Sequence, residues 1–239
     1  KHLDGICFTD HCDYDYPNEP EEFLLDFPSY HKKISELQKK YAAVLPIRFG
    51  VELGLQPHLG ELHKDLIRQY PFDFVIGSSH VVHGMDPYYP GFFSDRTEEE
   101  GYLEYFESVL ENIDAFSEFD VYGHIDYVVR YGPNQNQYYS YQKYADIIDA
   151  ILKKLIALGK GIEVNTGGFK YGLGHPNPCE DILKRYHELG GEILTLGADA
   201  HKPEHVAYDF FRLPELLKNC GFSYYTVFNK RKPEFLPLP

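Results

Sequence analysis

The feature that most constrains this chain is a regular alternation of short apolar runs with longer amphipathic ones. Candidate strands fall at 5–9, 47–53, 72–76, 121–123, 161–165, 192–196 and 223–228, each apolar or β-branched and bounded by Gly, Pro, Asp or Asn. Runs of this kind suit strands buried on both faces of a parallel sheet. Between them, apolar residues recur at three- and four-residue spacing over 30–43, 59–69, 97–117, 141–158, 179–189 and 203–220. In the fourth segment Tyr144, Ile147, Ile148, Ile151, Leu152 and Leu155 form an unbroken helical stripe. Gly159, Gly190 and Gly221 each follow a helical segment where a left-handed cap is wanted. Repeated βα units with right-handed crossovers leave an open doubly wound sheet or a closed barrel. No glycine-rich phosphate loop follows any strand, which favours the barrel.

A barrel places its working groups at the carboxyl ends of its strands, and the polar residues of this sequence collect there. Thr9-Asp10-His11 closes the first strand and Glu52 lies at the end of the second. The third ends in Ser78-Ser79-His80, the fourth in Gly123-His124-Ile125-Asp126 and the sixth in Asp199-Ala200-His201. Core packing does not explain five strands ending in His, Asp or Glu. Imidazole with carboxylate suits Zn, Mn or Fe, whereas a thiolate set would indicate structural zinc. More than four candidate ligands imply more than one divalent ion. Close ions clamp a phosphoryl group and lower the pKa of a bridging water. Glu52 is the natural bridge, since one carboxylate offers an oxygen to each of two ions.

Composition narrows the partners. The net charge of −14 and the lack of a basic groove disfavour a nucleic-acid partner, while cations at the mouth would reverse the local field for a small phosphorylated substrate. No apolar run approaches the roughly 18–20 residues of a membrane span. Four scattered cysteines without a CxxC pair, and no signal segment, read as a cytoplasmic protein with reduced thiols. The oligomeric state is not encoded in any pattern. Histidine occurs 12 times, about twice average usage. Methionine occurs once, as Met85, and residue 1 is Lys, so a preceding segment is expected.

At the strand-end motifs the sequence resembles the PHP (polymerase and histidinol phosphatase) family, and within it the histidinol-phosphatase branch. The resemblance rests on Phe8-Thr9-Asp10-His11, Gly50-Val51-Glu52, Ser78-Ser79-His80 with His83-Gly84, and Gly123-His124-Ile125-Asp126. It continues in Glu163-Val164-Asn165-Thr166, Gly197-Ala198-Asp199-Ala200-His201 and the closing Tyr225-Thr226-Val227-Phe228 with Arg231-Lys232-Pro233. Each tripeptide is weak alone, but their order and strand placement are specific. The resemblance implies an α/β fold, a distorted (β/α)7 barrel in one domain over 1–239. It implies hydrolysis of L-histidinol phosphate to L-histidinol and phosphate, a step of histidine biosynthesis. It also implies a three-metal site in which Glu52 bridges two ions, His80 and His124 complete the second, Asp199 binds the first, and His11 with His201 hold the third.

One departure stands out. The family opens on a strand carrying HxH and a further ligand in the next loop, and neither is present here. His2 is not in an HxH. The domain is therefore expected to be incomplete at its N-terminus, with 5–9 an unpaired edge. Two other readings remain: a PHP phosphoesterase acting on another phosphorylated small molecule or nucleotide, and a non-catalytic PHP-like remnant.

Around the ligands, Glu52, His201 and Arg130 are the catalytic candidates. Arg130 follows His124 on one strand-end loop, and its guanidinium fork matches phosphate oxygens; a surface salt bridge with Asp126 or a helix is the alternative. Lys170 and His83 are further substrate-binding candidates. Asp10, Asp13 and Asp126 fit outer-shell roles, orienting the imidazoles beside them. His201 or one of these aspartates could protonate the leaving alkoxide. Tyr14-Asp15-Tyr16 and Tyr88-Tyr89 are expected to wall the mouth.

Overall fold

The computed structural model describes residues 3–17, 19 and 21–239; His2 lies outside them. β1 (Ile6–Phe8) and β2 (His11–Cys12) both pair with the long β3 (Ile47–Gly54), followed in spatial order by β4 (Phe74–Ser78), β5 (Val121–Tyr122), β6 (Gly161–Asn165) and β7 (Leu194–Gly197). Every pairing in this sheet is parallel. It is a curled half-barrel, and among the described residues β1 has no strand partner besides β3.

The crossovers are α1 (Phe27–Tyr41), α2 (Gly60–Gln69), α3 (Glu98–Ala115), α4 (Ala145–Ala157), the single turn α5 (Gly167–Lys170), α6 (Glu180–Glu188) and α7 (Leu213–Asn219). Local chemistry sets their ends. Asp26 caps α1 by accepting from Ser29 N, just ahead of Pro28. Thr97 and Glu100 form a reciprocal capping box at α3. Gly159, Gly190 and Gly221 take positive φ at the ends of α4, α6 and α7.

Strand alternation sorts the sheet into two faces. Val51, Leu53, Val75, Ile162, Val164 and Leu194 join the large core under the helices. On the concave face Phe74, Ile76 and Val121 form a smaller cluster with Phe228. Above that cluster, toward the carboxyl ends, the concave face turns polar.

Two expected elements differ. The 203–220 segment is helical only over α7, because Ala207 and Asp209 take positive φ and divide it into short 3-10 turns. The 223–228 segment is a strand but not a barrel stave. β8 (Tyr224–Asn229) pairs antiparallel with β9 (Lys232–Pro237). The hairpin closes the amino end of the half-barrel, where Phe228 stacks on Phe74 at 5.1 Å.

Candidate metal centre

β2 and β3 run in register so that His11 lies opposite Glu52. Glu52 is the one acidic side chain on a strand otherwise built of glycine, Val, Leu, Ile, Phe and Arg48, and it is buried. Its Oε1 accepts from Ser78 Oγ at 2.8 Å, lies 3.1 Å from His124 Nε2 and 3.2 Å from His80 Nε2. The two imidazole nitrogens are 3.4 Å apart. Oε2 faces His11 Nε2 at 3.6 Å. Across β7, Asp199 Oδ1 lies 3.9 Å from His11 Nε2 and 3.4 Å from His201 Nδ1. His11 thus joins two groups, one with Glu52 and His80 and one with Asp199 and His201, each with donor atoms within 4.8 Å of one another. Zinc holds nitrogen and oxygen ligands at about 2.0–2.2 Å, which places tetrahedral ligand atoms about 3.3–3.6 Å apart. The separations here suit that geometry, and the donor chemistry fits Zn, Mn or Fe.

Electrostatics supports the same fit. Burial pushes the Glu52 carboxyl up, yet the charge of His11 and hydrogen bonds from His124 and His80 outweigh it and hold the group well below the usual carboxylate range. Burial likewise pushes the Asp199 carboxyl up, and the hydrogen bond from His11 and the charge of Arg130 overcome it and hold the group well below the usual carboxylate range. Burial lowers His80, but the charge and hydrogen bond of Asp13, with Glu52, push it up to about 10. His11 is also held well above 6.5 against burial, chiefly by Glu52. The cluster recruits protons to balance its carboxylates, and bound cations would supply that charge instead.

Asp13 orients one ligand. Its Oδ1 accepts from His80 Nδ1 at 2.6 Å, which would leave Nε2, on the Glu52 side, as the nitrogen able to bind a cation. Extended backbone explains why Asp13 serves here and Asp10 does not. Residues 11 and 13 share one face, whereas Asp10 is exposed and contributes only its carbonyl, to Glu52 N at 3.2 Å. A Cβ at residue 54 would sit 1.9 Å from Asp13 Oδ1, so only glycine admits that carboxylate.

Arg130, on a 3-10 turn at Tyr127–Arg130, is buried rather than superficial. Its Nη1 donates to Asp199 Oδ2 at 2.8 Å, and Lys170 Nζ donates to Asp199 O at 3.0 Å. Asp126 orients no imidazole; it accepts from Asn177 Nδ2 at 2.6 Å and Cys179 N at 3.0 Å. His83 is not brought into the cluster. Its φ of 47° turns the side chain outward, where Glu104 and Glu111 hold its two ring nitrogens, each at 3.0 Å. Tyr16 is buried, with its hydroxyl donating to Asp86 at 2.6 Å, while Tyr88 and Tyr89 are exposed.

The structure adds Glu163, which sequence reading quoted in a motif without a role. It lies on the concave face of β6, accepts from His124 N and Asn165 Nδ2, and burial with the charges of Glu52 and Asp199 raises it to about 8. The signal was its position two residues from Asn165 on one strand face.

The PHP domain family model matches residues 1–167. The chain belongs to the PHP domain family. This PHP protein is 31% identical over 92% of its length to 83% of a protein of Clostridium acetobutylicum named "Probable histidinol-phosphatase". It is 30% identical over 96% of its length to 85% of the histidinol-phosphatase of Lactococcus lactis. Its fold superposes with TM-score 0.87 on the crystal structure of the histidinol phosphate phosphatase of Lactococcus lactis complexed with zinc, L-histidinol and phosphate. That match covers 98% of this chain and 88% of the other at 31% identity.

Proposed function

We propose that this PHP protein is a metal-dependent phosphomonoesterase that hydrolyses L-histidinol phosphate to L-histidinol and phosphate. The observation that carries the reading is the convergence of His11, Glu52, His80, His124, Asp199 and His201 beside buried Arg130. Its match to a relative that binds zinc, L-histidinol and phosphate supports it. Glu52, His80 and His124 would hold one ion, His11, Asp199 and His201 another, and Glu52 and His11 sit where ligands can be shared. Two to three divalent cations there would offset phosphate charge and lower the pKa of a water.

The chain's own residues do the rest. Asp13 fixes the tautomer of His80, and Ser78 holds one oxygen of Glu52 in place. Arg130, permanently charged and desolvated, would grip a phosphate oxygen as charge builds on it. Lys170 braces the Asp199 backbone from the other side. No helix among the described residues is long and apolar enough to cross a membrane, and the four free thiols accord with work in a reducing cytoplasm.

The test is phosphate release from L-histidinol phosphate by the purified protein with Zn or Mn, against a panel of nucleotides and other phosphomonoesters. Glu52→Ala should lower kcat/KM by at least about 1,000-fold, and a chelator should abolish turnover. Activity untouched by either treatment, or a higher kcat/KM for nucleotides, would sink the assignment.

A further inference from the structure

Arg130 has three guanidinium nitrogens, and two of them are committed. Nη1 donates to Asp199 Oδ2 and Nε to Asn177 Oδ1, both at 2.8 Å. Nη2 is buried and has no partner. The guanidinium also lies over the rings of Tyr127 and Tyr171, 5.4 and 5.0 Å from their centroids. Since the group is planar and rigid, fixing two nitrogens fixes where the third points. Beside Nη2 lies Gly167, where a Cβ would stand 2.9 Å away, so the absent side chain leaves room next to the free donor.

Asn177 is itself held on every side. It is fully buried, its backbone N and O pair with Asn165 at 2.8 Å each, and its Nδ2 donates to Asp126. Asp126 is anchored by Cys179 N at 3.0 Å and the Tyr139 hydroxyl at 3.4 Å. The carboxamide of Asn177 can accept from the guanidinium with its oxygen and donate to the carboxylate with its nitrogen at once. An Asp at 177 would meet Asp126 with like charge. Direct pairing of Arg130 with Asp126 would draw the fork into a bidentate salt bridge and use up its donors.

We propose that Asn177, loaded by Asp126, is a positioning residue that holds Arg130 so that Nη2 is left as its free donor for an oxygen of the phosphoryl group. The idea rests on the phosphoesterase reading, but its test need not. Inorganic phosphate serves as one probe, and the hydrogen exchange of the Arg130 Nε–H in the cation-free protein as another. Asn177→Ala should speed that exchange and weaken phosphate binding to the zinc-loaded protein by about 10-fold. It should lower kcat/KM for L-histidinol phosphate by about 10- to 100-fold, the usual scale for losing an orienting partner.

A double-mutant cycle separates positioning from packing. In an Arg130→Ala background Asn177→Ala should cost almost nothing more, whereas losses that multiply would assign Asn177 to packing and overturn the proposal. Asp126→Asn is isosteric and carries the test if Asn177→Ala does not fold. It should speed the same exchange and weaken phosphate binding, and unchanged values for both would overturn the proposal. Failure of the wild type to hydrolyse L-histidinol phosphate would strike the proposed substrate alone, because exchange and phosphate binding are read without it.

Discussion

At the amino end of the half-barrel, Asp73 and Asp120 are matched by built-in partners. Asp120 accepts from Val75 N at 2.8 Å and pairs with Arg231, while Asp73 accepts from Phe49 N and Lys230 N, each at 3.0 Å. At the carboxyl end, Asp13, Glu52 and Glu163 are buried and Asp199 is partly buried, with Arg130 as the single arginine in contact, and histidines complete the balance. His124 Nδ1 and Arg130 Nη2 are left without partners there. Both ends gather acids, but one is closed upon itself and the other keeps donor atoms without protein partners, as the proposed cation and phosphate site would require. The contrast agrees with the general division of barrels into a stabilising bottom and a working top.

Added cations should separate the two ends most sharply. Zinc at 1,000 times its Kd should stabilise the wild type by about 4 kcal/mol, read as a rise in Tm. Glu52→Gln should lose most of that rise. Asp120→Ala should instead cost about 2 kcal/mol with zinc and without it, less than a fully buried pair because Arg231 is a quarter exposed. An Asp120 variant that lost the zinc effect would erase the distinction.

Two histidines carry the contrast into pH. His80 at the mouth is pushed up to about 10, whereas His63, buried on α2 near the rings of Tyr14 and Phe116, is lowered by burial to about 4. The unfolded chain protonates this imidazole near 6.5 and the folded one does not until about 4, so between these values the unfolded state binds more protons. Stability from His63 is therefore lost as pH falls from about 6.5 to about 4 and is constant below, a total of up to about 3 kcal/mol. Denaturation of His63→Leu beside the wild type across that range should show this component as the difference between their two slopes, and parallel slopes would refute it. The smallest effect belongs to an exposed helix terminus. Thr97→Ala removes the capping box of α3 and should cost about 1 kcal/mol by urea denaturation.

Six of the seven expected strands are staves of the sheet because buried parallel strands announce themselves as short β-branched runs between breakers. The seventh, over 223–228, carries the same local signature, and only its pairing with β9 distinguishes a hairpin from a stave. The candidate ligands were legible for the same reason: a polar residue at the end of an apolar strand has nowhere else to point. Sequence proximity misled at His83, three residues past His80, where a left-handed backbone sends the side chain away. It misled at Asp10 because adjacent residues of an extended chain face opposite ways. Asn177 was invisible, since it lies in an irregular loop and meets Asp126 across 51 positions.

The glycine at position 54 makes room for a carboxylate, and two others follow suit. A Cβ at 197 would sit 1.9 Å from Glu163 Oε1, and one at 123 would sit 2.2 Å from Ser78 Oγ. Each of these three polar groups thus occupies volume ceded by a neighbouring glycine. Positions 13 and 54, 163 and 197, and 78 and 123 are bound to vary as couples: bulk gained at one must be surrendered at the other. Redesign of this mouth for a larger substrate would have to proceed by paired exchanges, because a single enlargement at any of these glycines displaces the acid or hydroxyl it was meant to accompany.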